Sequence, residues 1–369
     1  MTARMLDSRT PSLRIAFLDS WLQQTVEGSG TAAAIGGLGQ GLVQRGHRVT
    51  RISPTSGWPP SLTLRRLLFN IYLPALLRSL TYDLIVGVDI DGCLWAGRDN
   101  HTPYVCAVKG VIAEESTYER GAVRWQLWSL SRLERLNVRR APLVITDTDY
   151  CRRMVCQHYG IPVERVKLVP AGIALERWRK VLDSASVQRA PCTILCVARQ
   201  YPRKRVADLL QAFVQVRQHM PRARLVIIGA GPEHDQLRML ARQLCIEDST
   251  HFLGGVPDDN EVVMWYKRST IFCLPSIQEC MGIVFLEAMA SGLPIVTTTA
   301  AAMPEVVPQR QAGILVPPMN PSAIATALIE LLEQPEVRAT YGAFGQAYVQ
   351  QYDWEIITDQ FLRMIYECI

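Results

Sequence analysis

Short apolar strands alternate with helix-spaced stretches along almost the whole chain. The alternation stops once, near residue 180, and then starts again. A strand–helix–strand series folds into a parallel sheet covered by helices, so two such series predict two sheets rather than one. In the first, Leu13–Leu18 reads as a strand, Ala32–Gln44 as a helix stopped at Gly46, and Arg48–Ser53 as the next strand. Asp83–Val88, Tyr104–Val108, Leu143–Thr146 and Val166–Val169 continue as strands, with a helix over Leu127–Arg140. Arg177–Ala190 is polar, has no strand pattern and reads as the linker. The second series has strands at Thr193–Ala198, Arg224–Gly229, His251–Leu253, Ile271–Pro275 and Pro294–Thr298. Its helices are Ala207–His219, Glu233–Leu244 and Ile283–Ala290. The predicted class is α/β, two doubly wound Rossmann-like domains, residues 1–178 and 179–351, facing across a cleft. At 369 residues the chain is long enough for both cores. Ligands in such sheets bind beyond the carboxyl ends of the strands, which here means that cleft.

Composition narrows the function. No stretch approaches the roughly 20 apolar residues that span a bilayer; the longest candidate, Phe69–Leu77, is broken by Pro74. Met1–Ser12 is polar and has no apolar signal core. The ten cysteines include no CxxC pair, and Cys196 and Cys273 lie in apolar strands, so reduced thiols and a cytoplasmic protein are expected. Cys93, Cys106, Cys151 and Cys156 lack metal-ligand spacing, and no metal site is expected. Residues 1–178 carry a net +7 and residues 179–369 a net −2. The basic front half suits an anionic acceptor or peripheral association with a membrane surface, or is simply a solvated surface. Pro59–Leu80, leucine-rich with Arg65, Arg66 and Arg78 and with Trp58 near its start, fits a helix lying on a membrane or packed on its own domain. Nucleic acid is not expected, since no binding motif is present.

The chemistry concentrates in Leu274–Val296. Glu279 falls in a loop after a short strand and Glu287 inside an apolar helix, with seven residues between them. A carboxylate in so hydrophobic a run costs several kcal/mol to bury unless something polar meets it. A ligand with several hydroxyls, such as a sugar nucleotide, supplies that partner. The amides of Met281, Gly282 and Ile283 open the Glu287 helix, where the helix field favours an anion. The alternative is a helix-start Glu279 and a Glu287 at the surface. Arg199 and Lys204 belong to a run of four cations within seven residues after the first strand of the second series. Such a run repels itself unless an anion joins it, and a pyrophosphate fits; a solvated basic loop is the plain alternative. Gly229 and Gly231, in Gly-Ala-Gly-Pro-Glu after a strand, let backbone N–H groups approach phosphate. Gly36-Gly-Leu-Gly-Gln-Gly has the look of a dinucleotide fingerprint, but no strand directly precedes it, so no such site is expected there.

With these motifs in hand, the chain resembles the retaining glycosyltransferases of the GT-B fold in the large family 4, often labelled group 1. The resemblance covers nearly the full length. It is strongest from Ile194 to Val316, where Arg199 and Lys204, Gly229-Ala-Gly-Pro-Glu, Phe252-Leu-Gly-Gly-Val, the two glutamates, Pro304-Glu-Val-Val and Gly313-Ile-Leu-Val come in family order. In the front half, Gly46-His-Arg-Val matches a Gly-His-x-Val turn. The resemblance implies that Arg199 and Lys204 neutralise the donor diphosphate in place of a metal. Glu279 and the amides near Gly282 would hold the transferred sugar, and Glu287 the ribose. Gly255 and Val256 would line the base pocket, and the loop holding Gly28 and Gly30 would lie near the donor phosphate. It also implies a C-terminal helix, within 352–369, crossing back onto the front domain. Two departures stand out: Cys280-Met281 where the family often has Gly-Phe, and Lys109-Gly110 where many members have His-Gly. Asp89, Asp91 and Lys109, at front-half strand ends, are acceptor-side candidates, with a structural reading left open for each.

The implied reaction moves a hexose from a UDP- or GDP-sugar to an acceptor hydroxyl of a glycan, glycolipid or small molecule, with retention at the anomeric carbon. No cofactor is implied beyond the nucleotide-sugar co-substrate, and the expected place is the cytoplasm or the inner face of its membrane. A non-catalytic nucleotide-sugar-binding protein and a sugar phosphorylase remain the alternatives.

Overall fold

The computed structural model describes residues 11–21, 29–54, 58–59, 61–98, 102–184 and 189–368. Among these residues, two six-stranded sheets form, each parallel throughout. The front sheet contains β1 (Arg14–Leu18), β2 (Arg48–Ile52), β3 (Leu84–Val88), β4 (Tyr104–Val108), β5 (Leu143–Thr146) and β6 (Val166–Leu168), in the order β2-β1-β3-β4-β5-β6. The second contains β7 (Thr193–Val197), β8 (Arg224–Ile228), β9 (Thr250–Gly254), β10 (Ile271–Cys273), β11 (Ile295–Thr298) and β12 (Gly313–Val316), in the order β12-β11-β10-β7-β8-β9. Fully buried strands such as β3 and β4 are continuous apolar runs, as a sheet covered on both faces requires.

The helices follow in chain order. On the front side lie α1 (Ser29–Gln44), α2 (Leu62–Arg78), α3 (Ile112–Tyr118), α4 (Gly121–Arg140) and α5 (Asp149–Tyr159). Next come α6 (Leu175–Ser184), α7 (Val206–His219), α8 (His234–Gln243), α9 (Asp259–Arg268) and α10 (Ile283–Ala290). The chain closes with α11 (Met303–Val306), α12 (Pro321–Glu333), α13 (Pro335–Tyr348) and α14 (Trp354–Cys368).

The order of strands reverses between β1 and β3 in the front sheet and between β7 and β10 in the second. Loops leaving neighbouring strands at such a point splay to opposite faces and open a crevice. Both crevices face the cleft. Across it, Thr148 after β5 donates its hydroxyl to the Cys280 carbonyl at 2.9 Å, and the Asp149 amide donates to Glu305 at 2.8 Å.

The C-terminal helix returns to the front sheet, where Ile357, Phe361, Leu362, Met364 and Ile365 of α14 join Ile15, Ile35 and Leu42 in one core. The glycine run of α1 explains how it can. A Cβ on Gly37 would lie 2.1 Å from the Trp354 indole, and one on Gly41 2.1 Å from the Thr358 hydroxyl. Glycines one helical turn apart thus make a groove for the crossing helix, and the run is a packing surface rather than a phosphate loop.

One expectation needs correction. The segment read as a linker is in large part α6, which packs on α9 and α10: Trp178 meets Tyr266 edge-on and donates to Ser291 at 2.9 Å. Leu175, Trp178 and Leu182 have helical spacing inside a polar sequence. In α2, Arg65 and Arg66 point inward and are buried, while Leu64, Leu67, Leu68, Ile71 and Tyr72 stay exposed. The helix does pack on its own domain, through Phe69, Leu73 and Leu77, and leaves a second apolar face exposed.

Candidate functional site

The β7 loop is shaped by its neighbours. A Cβ on Gly229 would lie 2.1 Å from the Ala198 carbonyl, and one on Gly231 2.7 Å from the Gln200 backbone. These two glycines let the β8 loop lie flat against the residues flanking Arg199. The Gly229 amide is itself bonded to the Gly254 carbonyl at 2.7 Å. Gly229 thus shapes the loop and offers no N–H to a ligand, a correction to its expected role.

From Pro202 to Lys204 the chain makes a short 3-10 turn, and Arg205 takes the left-handed conformation at φ 53°, held by bonds of 2.7 and 2.8 Å to Asp208. Arg199 and Arg203 both lie over the Tyr201 ring, at 5.3 and 4.9 Å. Lys204 reaches across the switch point to Glu279, Nζ to Oε1 2.5 Å, and the Ser276 hydroxyl donates to the same oxygen at 2.9 Å. Residues 75 apart in sequence thus form a direct ion pair at the mouth of the second sheet.

Gly282 opens α10 at φ 67°, a left-handed conformation, and a Cβ there would strike the Phe285 ring at 2.7 Å. Glycine is needed on both counts. Met281 is buried in the core, so its side chain is unavailable to a ligand. One turn further, Glu287 accepts a 2.7 Å bond from the Tyr266 hydroxyl. Burial pushes its carboxyl up to about 7, with the Tyr266 bond pulling the other way. Gly255 is exposed and Val256 half-buried at the loop beyond β9, and Ile283 is half-buried at the first turn of α10. Gly30 is exposed in the first turn of α1, with nothing within 4 Å of an added Cβ; Gly28 lies outside the described residues.

The front-side candidates divide. Asp91 is fully buried, with one oxygen taken by the Ser20 amide (2.8 Å) and hydroxyl (2.6 Å) and the other by Asn70 (2.9 Å). It ties β1, α2 and β3 together and is sealed from an acceptor by its full burial, which corrects the expectation. Asp89 accepts from the Lys109 amide at 2.9 Å and faces Arg66 at 3.7 Å. Burial raises the carboxyls of both aspartates to about 6. Lys109 pairs with Asp147 at 2.7 Å, so β4 and β5 are linked by it.

Sequence reasoning missed Tyr266, Ser276 and Tyr201, which orient the named charges, and Arg203, which pairs with Glu115 and Glu119 of the front side. Only Arg203 carried a signal, as part of the basic run. Chemically, the carboxyl end of the second sheet gathers cations, a helix start, one carboxylate matched to a lysine and another whose carboxyl is raised to about 7. Such a site can hold an anion beside groups that accept hydrogen bonds from hydroxyls.

Residues 184–347 match the family model of glycosyl transferases group 1, and residues 28–177 that of glycosyltransferase family 4. A GDP-mannose-dependent alpha-(1-6)-phosphatidylinositol monomannoside mannosyltransferase of Mycobacterium tuberculosis is 29% identical over 248 residues, 62% of this chain and 64% of that one. A phosphatidyl-myo-inositol mannosyltransferase of Mycolicibacterium smegmatis is 35% identical over 227 residues, 61% of this chain and 57% of its own. The matched segments therefore span less than two thirds of these relatives. Among solved structures, a sucrose-phosphate synthase from Thermosynechococcus elongatus superposes with a TM-score of 0.78 at 19% identity, over 96% of this chain and 98% of that one. The Anabaena protein HepE, solved with UDP, gives 0.72 at 19% identity, over 96% and 100%.

Proposed function

The chain belongs to glycosyltransferase family 4, and from that premise we propose that it transfers a hexose from a UDP- or GDP-sugar to an acceptor hydroxyl with retention of anomeric configuration. The observation that carries the reading is the Lys204–Glu279 contact at the switch point of the second sheet, with Arg199 on the same loop and Glu287 on α10, the helix that follows Glu279. Arg199 and Lys204 neutralise the departing diphosphate and so do the work of a divalent ion. Glu279 accepts from the sugar hydroxyls and Glu287 from the ribose diol. The acceptor oxygen bonds to the anomeric carbon on the face the diphosphate leaves, and a phosphate oxygen takes the acceptor proton. The front sheet supports this same-face course: Asp91 has both oxygens engaged, Asp19 is held by Arg51 and by the Trp21 amide, and Asp89 by Lys109. None of the three is placed as a nucleophile. GDP-mannose is the donor named for the tuberculosis relative, which makes GDP-sugars the first to try.

The test is a thermal-shift panel of UDP, GDP, ADP and dTDP on the wild type and Arg199→Ala. A ligand at about 100 times its dissociation constant adds roughly 2.7 kcal/mol of stability. One nucleotide should raise the wild-type melting temperature and leave the variant's unchanged. If none does so, the donor site is lost and the proposal with it.

The acceptor is proposed to be reached at an anionic membrane surface. Leu64, Leu67, Leu68, Ile71 and Tyr72 form an exposed stripe along α2 at spacings of one helical turn. Gln126 donates to Thr63, which brings exposed Trp125 and Trp128 of α4 beside it. Arg132 lies 5.3 Å from the Trp128 ring, and exposed Arg124 and Arg78 flank the patch. The one carboxylate of the two helices, Glu134, is buried. A second copy would bring arginine against arginine, whereas anionic lipid meets both the charge and the apolar stripe. No described helix is long and apolar enough to cross a membrane. Flotation with anionic vesicles should carry the wild type and leave the Trp125→Ser/Trp128→Ser double variant behind. Equal flotation of both, or of neither, refutes this surface.

A further inference from the structure

Arg203 leaves the second sheet altogether. Its guanidinium crosses the cleft and pairs with two carboxylates on the front side, Glu115 of α3 and Glu119 at that helix's C-terminal cap, each at 3.4 Å. The three side chains keep 15%, 21% and 6% of their exposure, so most water is excluded from the contact. A buried charge left without its partner is far more costly than an exposed one, so the contact opens as a unit. Room for it comes from a missing side chain: a Cβ on Gly110 would lie 3.0 Å from the Glu115 carboxylate.

The other end of Arg203 is anchored in the donor loop. Its carbonyl accepts a 2.9 Å bond from the Ile277 amide, two residues before Glu279. Its guanidinium shares the Tyr201 ring with Arg199, and the next residue is Lys204, paired with Glu279. Movement of Arg203 therefore reaches both cations assigned to the diphosphate. Among the described residues, another side-chain ion pair that bridges the cleft, Arg153–Glu305, is half in water and correspondingly weak.

We propose that Arg203 is a positioning residue, a cross-cleft latch that pins α3 to the donor loop and so sets the spacing of Arg199 and Lys204 for a diphosphate. The effect on ligand rests on the donor-site reading above; the latch itself concerns the two halves of the molecule and holds or falls without a ligand.

The experiment combines small-angle X-ray scattering with calorimetric binding of UDP and GDP. The proteins are the wild type, Arg203→Gln, Glu115→Gln/Glu119→Gln, the triple variant and Arg203→Lys. Melting curves confirm that each is folded. Expected are a larger radius of gyration in Arg203→Gln and in the double-glutamate variant, and nucleoside diphosphate binding weakened about tenfold in each, within the range of couplings between sites. The triple variant should be no worse than either, because one contact is lost in all three, and Arg203→Lys should recover part of the affinity. If the glutamate variant binds like the wild type while Arg203→Gln does not, Arg203 touches the ligand directly and the latch is refuted. Unchanged scattering in both refutes it as well. If the wild type binds neither nucleotide, the donor-site reading fails, and scattering alone decides the latch.

Discussion

Glu287→Gln is expected to make the folded protein more stable and its ligand site weaker, with a pH dependence that the structure fixes. The Glu287 carboxyl is raised from 4.5 to about 7 by burial. Folding therefore favours the protonated form. Its contribution to stability is fully present below about 4.5 and is lost as pH rises through about 7. A shift of roughly 2.5 units corresponds to about 3 kcal/mol in the alkaline limit, of which about 1.3 kcal/mol is lost between pH 6 and 8. Glutamine keeps the Tyr266 hydroxyl satisfied and carries no charge to bury, so this loss disappears. For a folding unit the size of the second sheet and its helices, 1.3 kcal/mol amounts to about 3–5 °C. Scanning calorimetry of both proteins at pH 6, 7 and 8 should show the gap in melting temperature widening by that amount in favour of the variant. Ligand binding runs the opposite way. The ionised carboxylate accepts from a ribose diol more strongly, and with both oxygens, than the protonated form does, so wild-type affinity should climb between pH 6 and 8 and then level off. A nucleotide sugar is the right probe, since its diphosphate, esterified at both ends, does not titrate in this range. A melting-temperature gap that stays constant with pH refutes the burial argument. A variant that binds as tightly as the wild type removes Glu287 from the site.

Gly229→Ala should cost about 1–3 kcal/mol in urea melts, because its backbone is at φ 110° and the new methyl would sit 2.1 Å from the Ala198 carbonyl. It should also weaken nucleotide binding, since relief of that clash moves the residues next to Arg199. Arg199→Ala should lower turnover roughly 10²–10³-fold while leaving the melting temperature of the free protein near the wild-type value. A loss of stability matching the loss of rate would make Arg199 a structural residue.

The strand pattern was legible because buried parallel strands must be apolar throughout, and nothing but a strand or a buried helix segment fits runs like Leu84–Val88. The second sheet's site was legible for a related reason: charged residues inside apolar sequence need a partner, which marked Glu279 and Glu287. What could not be read was which partner. In α2 both faces are apolar, so periodicity alone could not choose the one that packs. The choice is made by Arg65, bonded to the Ser20 carbonyl, and Arg66, facing Asp89. Asp91 looked like a free carboxylate at a strand end because Ser20, which takes one of its oxygens, lies 71 residues away. The Tyr266–Glu287 bond is equally invisible in sequence, joining two helices through side chains alone.

One inference from composition changes character in three dimensions. Four clustered cations were expected to need an anion from outside, yet three already have carboxylates: Lys204 has Glu279, Arg205 has Asp208, and Arg203 has Glu115 and Glu119. The loop is stable without ligand because protein carboxylates neutralise it. An incoming diphosphate must then compete with Glu279 for Lys204. In the proposed reading that competition joins the two halves of the donor. Phosphate takes Lys204, and the released Glu279 is left buried without its counter-charge unless sugar hydroxyls replace the lysine. A nucleoside diphosphate alone bears the cost of stripping Glu279, whereas a nucleotide sugar supplies both replacements at once. Recognition of the sugar thus follows from recognition of the phosphate through a single ion pair that each must exchange.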